Sequence, residues 1–243
     1  MLEVLGDSAG IYKKHIKLIW FFSISFLIAV LIPLLAPFPT YNDLGSILLR
    51  TGSIYLNLNL FDAAVIIAAT IFSLIFLSFA IVAINTIVKH SRTVTRIKGE
   101  VIRSLEKNTS NVFIVLLAFT AIPVFINFIT YYTGYSGIIT AIVVIILIPF
   151  LFYAPTSIVI DENRPVRAIQ ASLHFMRKKF AYFVLWLLAA FIILSVVDLV
   201  PIAFGGATAA AYAALVIDSF FALPFLVVLQ SETYIRRFAM LKR

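Results

Sequence analysis

Long apolar runs separated by short polar segments dominate the chain. A hydrocarbon core of about 30 Å needs about 20 apolar residues per transmembrane helix, and six runs reach that length. They cover residues 16–36, 61–88, 112–132, 136–160, 180–204 and 208–230. The pattern therefore predicts an all-α, polytopic membrane bundle with six transmembrane helices.

The composition agrees with membrane insertion. Hydrophobic residues make up 63% of the 243 residues and charged residues 12%, whereas roughly a quarter of the residues in soluble domains are charged. We expect one integral membrane domain over residues 1–243. The lead-in to the first run is basic, as in a signal peptide, but Pro37 follows Ala36 directly and would obstruct cleavage there, which predicts a retained first helix.

The basic residues fall almost entirely on one side of this layout. Six spans place both termini on the same side as segments 89–111 and 161–179, and 18 of the 19 Lys and Arg residues lie there, Arg50 being the exception. Cytoplasmic loops accumulate Lys and Arg, so we predict a cell-membrane protein with both termini cytoplasmic. Contact with anionic headgroups of the inner leaflet accounts for the charge, and nucleic acid is not needed as a partner.

Both cytoplasmic segments have the apolar spacing of amphipathic helices. In the second segment, Pro165 suits a first turn, and the polar residues before it predict capping of the helix. The apolar positions are Val94, Ile97, Val101 and Leu105 in the first segment, and Val166, Ile169, Leu173, Met176 and Phe180 in the second. The predicted capping residues are Asp161, Glu162 and Asn163.

Two interpretations of these amphipathic helices remain open. They are either elbows that pack under the bundle or interfacial helices that bind lipid headgroups or a protein partner. The candidate contact residues are Arg92, Arg96, Arg164, Arg167, Arg177, Lys178 and Lys179. On the opposite side, the alternation over Ser53–Leu60 indicates either a short extended or re-entrant piece or an interfacial loop, and the loop is favoured.

One acidic residue is predicted near the middle of a span. Asp218 lies ten residues into the sixth run, and an ionisable residue inside a membrane is a candidate functional group because placing it there is costly. We predict a polar site that includes Asp218, Asn127 and Ser195, with a helix kink at Pro224. The alternative is a carboxyl group that bonds a neighbouring polar side chain and holds helices together.

Other kinds of chemistry lack a sequence signal. The chain contains no cysteine, which excludes disulfides and thiolate ligands, and its three histidines do not have metal-ligand spacing. Phosphate-binding glycine loops and nucleophile elbows are missing from the sequence. We therefore expect no cofactor, no metal and no enzymatic activity.

The second amphipathic segment and the residues before it carry a resemblance. Ala154-Pro155, the apolar Ile158–Ile160, Asp161-Glu162, Pro165–Ile169 and Ser172 are followed by a basic group. This region resembles YciC-like membrane proteins and the membrane domain fused to some glycerophosphodiester phosphodiesterases, including stand-alone archaeal relatives. The resemblance implies a polytopic bundle of largely unassigned function with a loose association to membrane lipid metabolism, and it brings no catalytic residues.

Two functions fit these observations. The first is transport or handling of a small molecule or lipid, with Asp218 in a central cavity. The second is a structural or accessory subunit of a larger membrane complex, whose basic segments dock a protein partner or a second copy of the chain. A lipid-modifying enzyme is the least favoured function, because the polar residues are scattered along the chain.

Overall fold

The structure is a computed structural model that describes residues 2–35, 40–43, 46–49, 60–91, 97–204 and 207–239. Within these ranges the chain is helical apart from one small hairpin and short connecting loops. The helices are α1 (Leu2–Lys14), α2 (Ile16–Leu35), α3 (Leu60–His90), α4 (Ile97–Thr130), α5 (Ser136–Leu151), α6 (Ala154–Ile160), α7 (Pro165–Lys178), α8 (Phe180–Phe204), α9 (Ala207–Ile217) and α10 (Leu223–Ala239). A 3-10 turn follows α4 at Tyr131–Thr133, and a π-helical segment, Asp218–Ala222, joins α9 to α10.

The predicted all-α architecture with six membrane-spanning helices is confirmed. Six of the described helical stretches are long and apolar enough to cross a bilayer. They are Ile16–Pro33, Ala64–His90, Ile97–Thr133, Ser136–Ile160, Phe180–Val197 and Tyr212–Arg236. The protein is therefore a membrane protein whose spans lie close to the predicted runs.

The hairpin lies between the first two spans. Strands β1 (Thr40–Asp43) and β2 (Ser46–Leu49) are antiparallel, and Thr40 pairs with Leu49. The alternating stretch from Ser53 was predicted as a loop, and its residues up to Asn59 lie outside the described part of the chain. Leu60 begins α3.

The first amphipathic segment does not form a helix of its own in the described residues. Its residues from Ile97 onward form the start of α4, which continues unbroken into the third span. At 34 residues, α4 is about 51 Å long at about 1.5 Å per residue, longer than a hydrocarbon core of about 30 Å. No proline or glycine interrupts residues 100–122, so the backbone has no local reason to turn.

The second amphipathic segment forms a separate helix, α7, but its buried face differs from the predicted one. Ala168, Ser172 and Phe175 are buried, and they lie one position before the predicted Ile169, Leu173 and Met176. Met176 is also buried, whereas Val166 is 68% and Phe180 57% exposed. The face of α7 that packs against the protein is thus offset by one position from most of the predicted apolar stripe, because small residues at positions 168 and 172 let α7 approach the neighbouring helices closely.

The core surrounds the second half of α3. Ala80, Ala83, Ile84 and Ile87 of that helix have no exposed surface, and they pack with residues of α2, α4 and α10. A second cluster, around Val82, joins α3 to α4, α5, α6 and α7. The described end of the bundle that holds Lys89, Lys107 and Arg236 is called the basic end below, and the end with Tyr131, Tyr132 and Tyr135 the tyrosine end.

Candidate functional site in the last span

The last span is interrupted at its acidic residue. From Asp218 to Ala222 the backbone forms a π-helix, and the Leu223 amide donates to the Asp218 carbonyl, five residues back. Such π-bulges are rare and occur frequently at functional sites. Asp218 is 4% exposed and Ser219 is fully buried, so the interruption lies inside the bundle.

Pro224 leaves one backbone carbonyl of the π-helical segment without its usual hydrogen-bond donor. Proline has no amide hydrogen, so the carbonyl of Phe220, four residues earlier, lacks its usual helical donor. The Tyr12 hydroxyl of α1 donates to that carbonyl at 2.7 Å, and the Trp20 indole nitrogen of α2 donates to the Tyr12 oxygen at 3.2 Å. Burial raises the pKa of the Tyr12 phenol, which keeps the hydroxyl protonated and able to donate.

Aromatic side chains of α1 and α2 also pack against the π-helical segment and the start of α10. The Trp20 ring lies 5.1 Å from the Phe221 ring and 6.4 Å from the Phe220 ring, both edge to face, and Tyr12 meets Phe225 at 6.1 Å. Edge-to-face pairs at these separations are favourable beyond the area that they bury. The π-helical segment is therefore held from one side by the first two helices.

The predicted partners of Asp218 lie on different helices. The Asn127 amide of α4 donates to Thr140 of α5 at 3.1 Å and does not bond Asp218. The Ser195 hydroxyl of α8 is buried and has no hydrogen-bond partner among the described residues, and α8 packs against α9 and the π-helical segment through Val197, Ala214 and Ala222. Asp218 and Pro224 lie in one local stretch of the last span, and Asn127 bonds a residue of another helix pair.

Tyr12, Trp20 and Ser219 were not predicted as site residues. Pro224 does indicate that a carbonyl four residues earlier needs a donor, and this signal could have been used. The identity of the donor depends on how α1 packs along α10, which the spacing of apolar residues does not reveal.

A second polar region lies at the basic end, around the loop before α7. Asp161 accepts hydrogen bonds from the Tyr234 hydroxyl at 2.7 Å and from Ser157 at 3.4 Å, and the Asn163 amide donates to Ser157 at 3.0 Å. Arg164 is the N-cap of α7 and makes no side-chain cap bond. The predicted capping role of the acidic residues is wrong, because their side chains bond other helices.

Glu162 links the same loop to α3 and α4. Its carboxylate forms ion pairs with Lys89, at 3.1 Å, and with Lys107. Hydrogen bonds from Lys107 and Lys89 lower the pKa of Glu162 to about 2. Glu162 also has a φ of 57°, a left-handed conformation that is uncommon outside glycine and is maintained only where surrounding contacts hold it.

Arg236 makes the third polar connection at the basic end. It pairs with the fully buried Glu232 one turn earlier in α10, at 3.4 Å, and with Asp7 and Glu3 of α1. The α1 helix was not predicted, and these pairs fasten its beginning to the end of α10. Together with the Tyr12 contact they fix α1 along the last span.

The candidate contact residues of α7 lie on its surface. Arg164, Arg167, Arg177 and Lys178 are exposed and form no ion pair within the described ranges, and Lys179 is half-buried. Arg92 and Arg96 lie outside the described residues. No three His, Asp or Glu side chains of the described chain come together as a metal site would require.

Comparison of the chain with protein-family models, with curated proteins and with solved structures finds no match. The resemblance to YciC-like proteins therefore stays a prediction that depends on the residues quoted above.

Proposed function

We propose that this membrane protein transports or handles a small molecule or lipid without catalysing a reaction, and that the π-helical segment with Asp218 is its working site. The single observation that carries the proposal is the interruption of the last span at a buried acid, with the displaced carbonyl of Phe220 capped by Tyr12. π-Helical turns within α-helices are frequently found at functional sites, and an ionisable residue inside a membrane is itself a candidate functional group.

The proposed orientation places the basic end at the cytoplasm of a cell membrane. The supporting observation is the distribution of Lys and Arg, which follows the positive-inside rule. Because the chain has no cysteine, a single cysteine at Ser110 or at Tyr132 can be labelled by a membrane-impermeant thiol reagent. We expect labelling from outside intact cells at position 132 and not at position 110.

Native purification tests the proposed function. Wild-type protein and Asp218→Asn are extracted in mild detergent and examined by native mass spectrometry for every bound species. We expect a small molecule or lipid on the wild type and at least about tenfold less of it on Asp218→Asn, a loss equivalent to about 1.4 kcal/mol. Glu100→Gln, a matched carboxylate-to-amide change elsewhere, should retain the molecule.

Two outcomes would contradict this function. Equal retention by Asp218→Asn with an unchanged unfolding temperature would make the acid a packing residue. A stoichiometric protein partner on the wild type would instead support an accessory subunit.

The exposed surface of α7, a helix without Asp or Glu, favours the second function, that of an accessory subunit. Its free cations can bind anionic headgroups or an acidic surface of a protein partner. Charge reversal at Arg177 and Lys178 should release such a partner, whereas Asp218→Asn should leave it bound.

A further inference from the structure

The paired helices α3 and α4 form an open groove on the surface of the bundle. The groove has a volume of about 530 Å³, within the range of small-molecule sites. Ile75 and Phe79 of α3 line one wall, and Ile102 and Phe113 of α4 line the other. Neither the sequence pattern nor the Asp218 site points to this groove.

A short polar patch interrupts the apolar walls. Glu106, Thr109 and Ser110 lie three and four positions apart, so they share one face of α4 and all line the groove. Glu106 is exposed and, within the described chain, has no ion pair or hydrogen bond. Arg103 lies one turn before Glu106 and is also exposed.

The position of the patch along the bundle matches a membrane interface. Lys107, next to Glu106, shares the Glu162 carboxylate with Lys89 at the basic end. Phe79 and Ile75 precede Lys89 by ten and 14 residues, which places them about 15 and 21 Å deeper at about 1.5 Å per residue. The groove thus begins at the level of the ion pairs and continues into the apolar part of the bundle.

We propose that this groove binds one membrane lipid whose headgroup carries an amine. The ammonium group lies beside Glu106, Arg103 contacts the headgroup phosphate, and an acyl chain follows Ile75, Phe79 and Phe113. Charge complementarity selects this occupant, because a purely anionic headgroup would place negative charge against an uncompensated carboxylate. The site does not depend on transport through the Asp218 region.

Lipid titration followed by native mass spectrometry tests the assignment. Delipidated protein in detergent is titrated separately with phosphatidylethanolamine and phosphatidylglycerol that have identical acyl chains. We expect one phosphatidylethanolamine per protomer to bind more tightly than phosphatidylglycerol, and Glu106→Gln to weaken its binding about tenfold, as expected for loss of one charge-assisted hydrogen bond. Glu100→Gln, on the same helix outside the groove, should not change the affinity.

A second variant tests the position independently of the charge. Ser110→Trp fills the groove and should abolish the one-to-one binding, while Asp218→Asn should leave it intact. Equal binding of the two lipids, or unchanged phosphatidylethanolamine binding by both Glu106→Gln and Ser110→Trp, would overturn the proposal. Loss of binding in Asp218→Asn alone would move the lipid to the last span.

Discussion

Helix α3 passes through two different environments. In its second half, Ala80, Ala83 and Ile84 have no exposed surface, whereas Phe61 and Ile67 in its first half are 74% and 60% exposed. Both halves are apolar, so hydrophobicity does not distinguish them. In a membrane, lipid solvates apolar side chains as well as protein does, and burial instead follows helix packing and polar contacts.

The spans repeat this contrast. Half of the residues in the apolar window of the last span, Tyr212–Arg236, are buried, against 17% in that of Ser136–Ile160, which is more apolar. The last span carries Ser231, Glu232 and Tyr234, and each of them bonds a neighbouring group. The basic end is therefore a polar-linked, close-packed region, and the described tyrosine end is mainly a lipid-facing surface.

The largest expected effect comes from removing a polar link at the basic end. Arg236→Ala removes the cation that pairs with the buried Glu232 and with Asp7 and Glu3, which should lower the free energy of unfolding by about 3 kcal/mol. Ile145→Ala, in the exposed part of α5, should change it by less than about 0.5 kcal/mol. Unfolding in mixed detergent micelles with increasing dodecyl sulfate measures both, and a larger loss for Ile145→Ala would contradict the comparison.

A smaller effect is expected at the contact between α1 and the π-helical segment. Tyr12→Phe leaves the Phe220 carbonyl without its donor and should cost about 1–2 kcal/mol of stability. Pro224→Ala restores an amide at position 224, so adding Tyr12→Phe to that variant should cost less. The four proteins form a double-mutant cycle measured by the same unfolding method, and strictly additive losses would show that the two residues do not act on one carbonyl.

The smallest effect concerns the partly exposed Glu162. Its pKa lies near 2 in the folded protein against an ordinary value of 4.5, so the ion pairs stabilise the fold above about pH 4.5 and the gain is lost as the pH falls toward 2. Because the carboxylate is half exposed, we expect less than about 1 kcal/mol.

The unfolding temperatures of wild type and Glu162→Gln measure this contribution. They should differ at pH 7 and converge as the pH falls toward 2. A difference that widens on acidification would assign the stabilisation to another group.

Apolar run length was sufficient to predict the spans because a bilayer imposes one length on every crossing helix. It did not predict the break at Phe152-Tyr153 in the fourth run, where Pro155 cannot donate an amide hydrogen to the Leu151 carbonyl. There Ser172 accepts from the Tyr153 amide, and Gln230 donates to the Phe152 carbonyl. These hydrogen bonds join residues that are far apart in sequence, so no local sequence pattern predicts them.

The partners of the polar residues could not be predicted from local patterns either, because they also lie far apart in sequence. Asp and Glu just before a helix often cap its first turn. In the structure, Asp161 instead accepts a hydrogen bond from Tyr234, and Glu162 pairs with Lys89 and Lys107; these buried or charge-assisted bonds are stronger than a cap bond. The depth of Asp218 within its span was sufficient to predict it as a candidate site residue, because an acid far from both ends of a span is costly wherever the other helices lie. The contact of the π-helical segment with α1, in which Tyr12 donates to the Phe220 carbonyl, could be seen only in the three-dimensional packing.

Thiol accessibility of the π-helical segment tests the central claim most directly. Ser219→Cys and Val228→Cys each introduce the single thiol of the chain, and both positions are fully buried in the last span. If the segment is a transport site, a small water-soluble thiol reagent should modify position 219 at least about tenfold faster than position 228, because transient opening exposes only the site. Equal rates at both positions would contradict a transport site at Asp218.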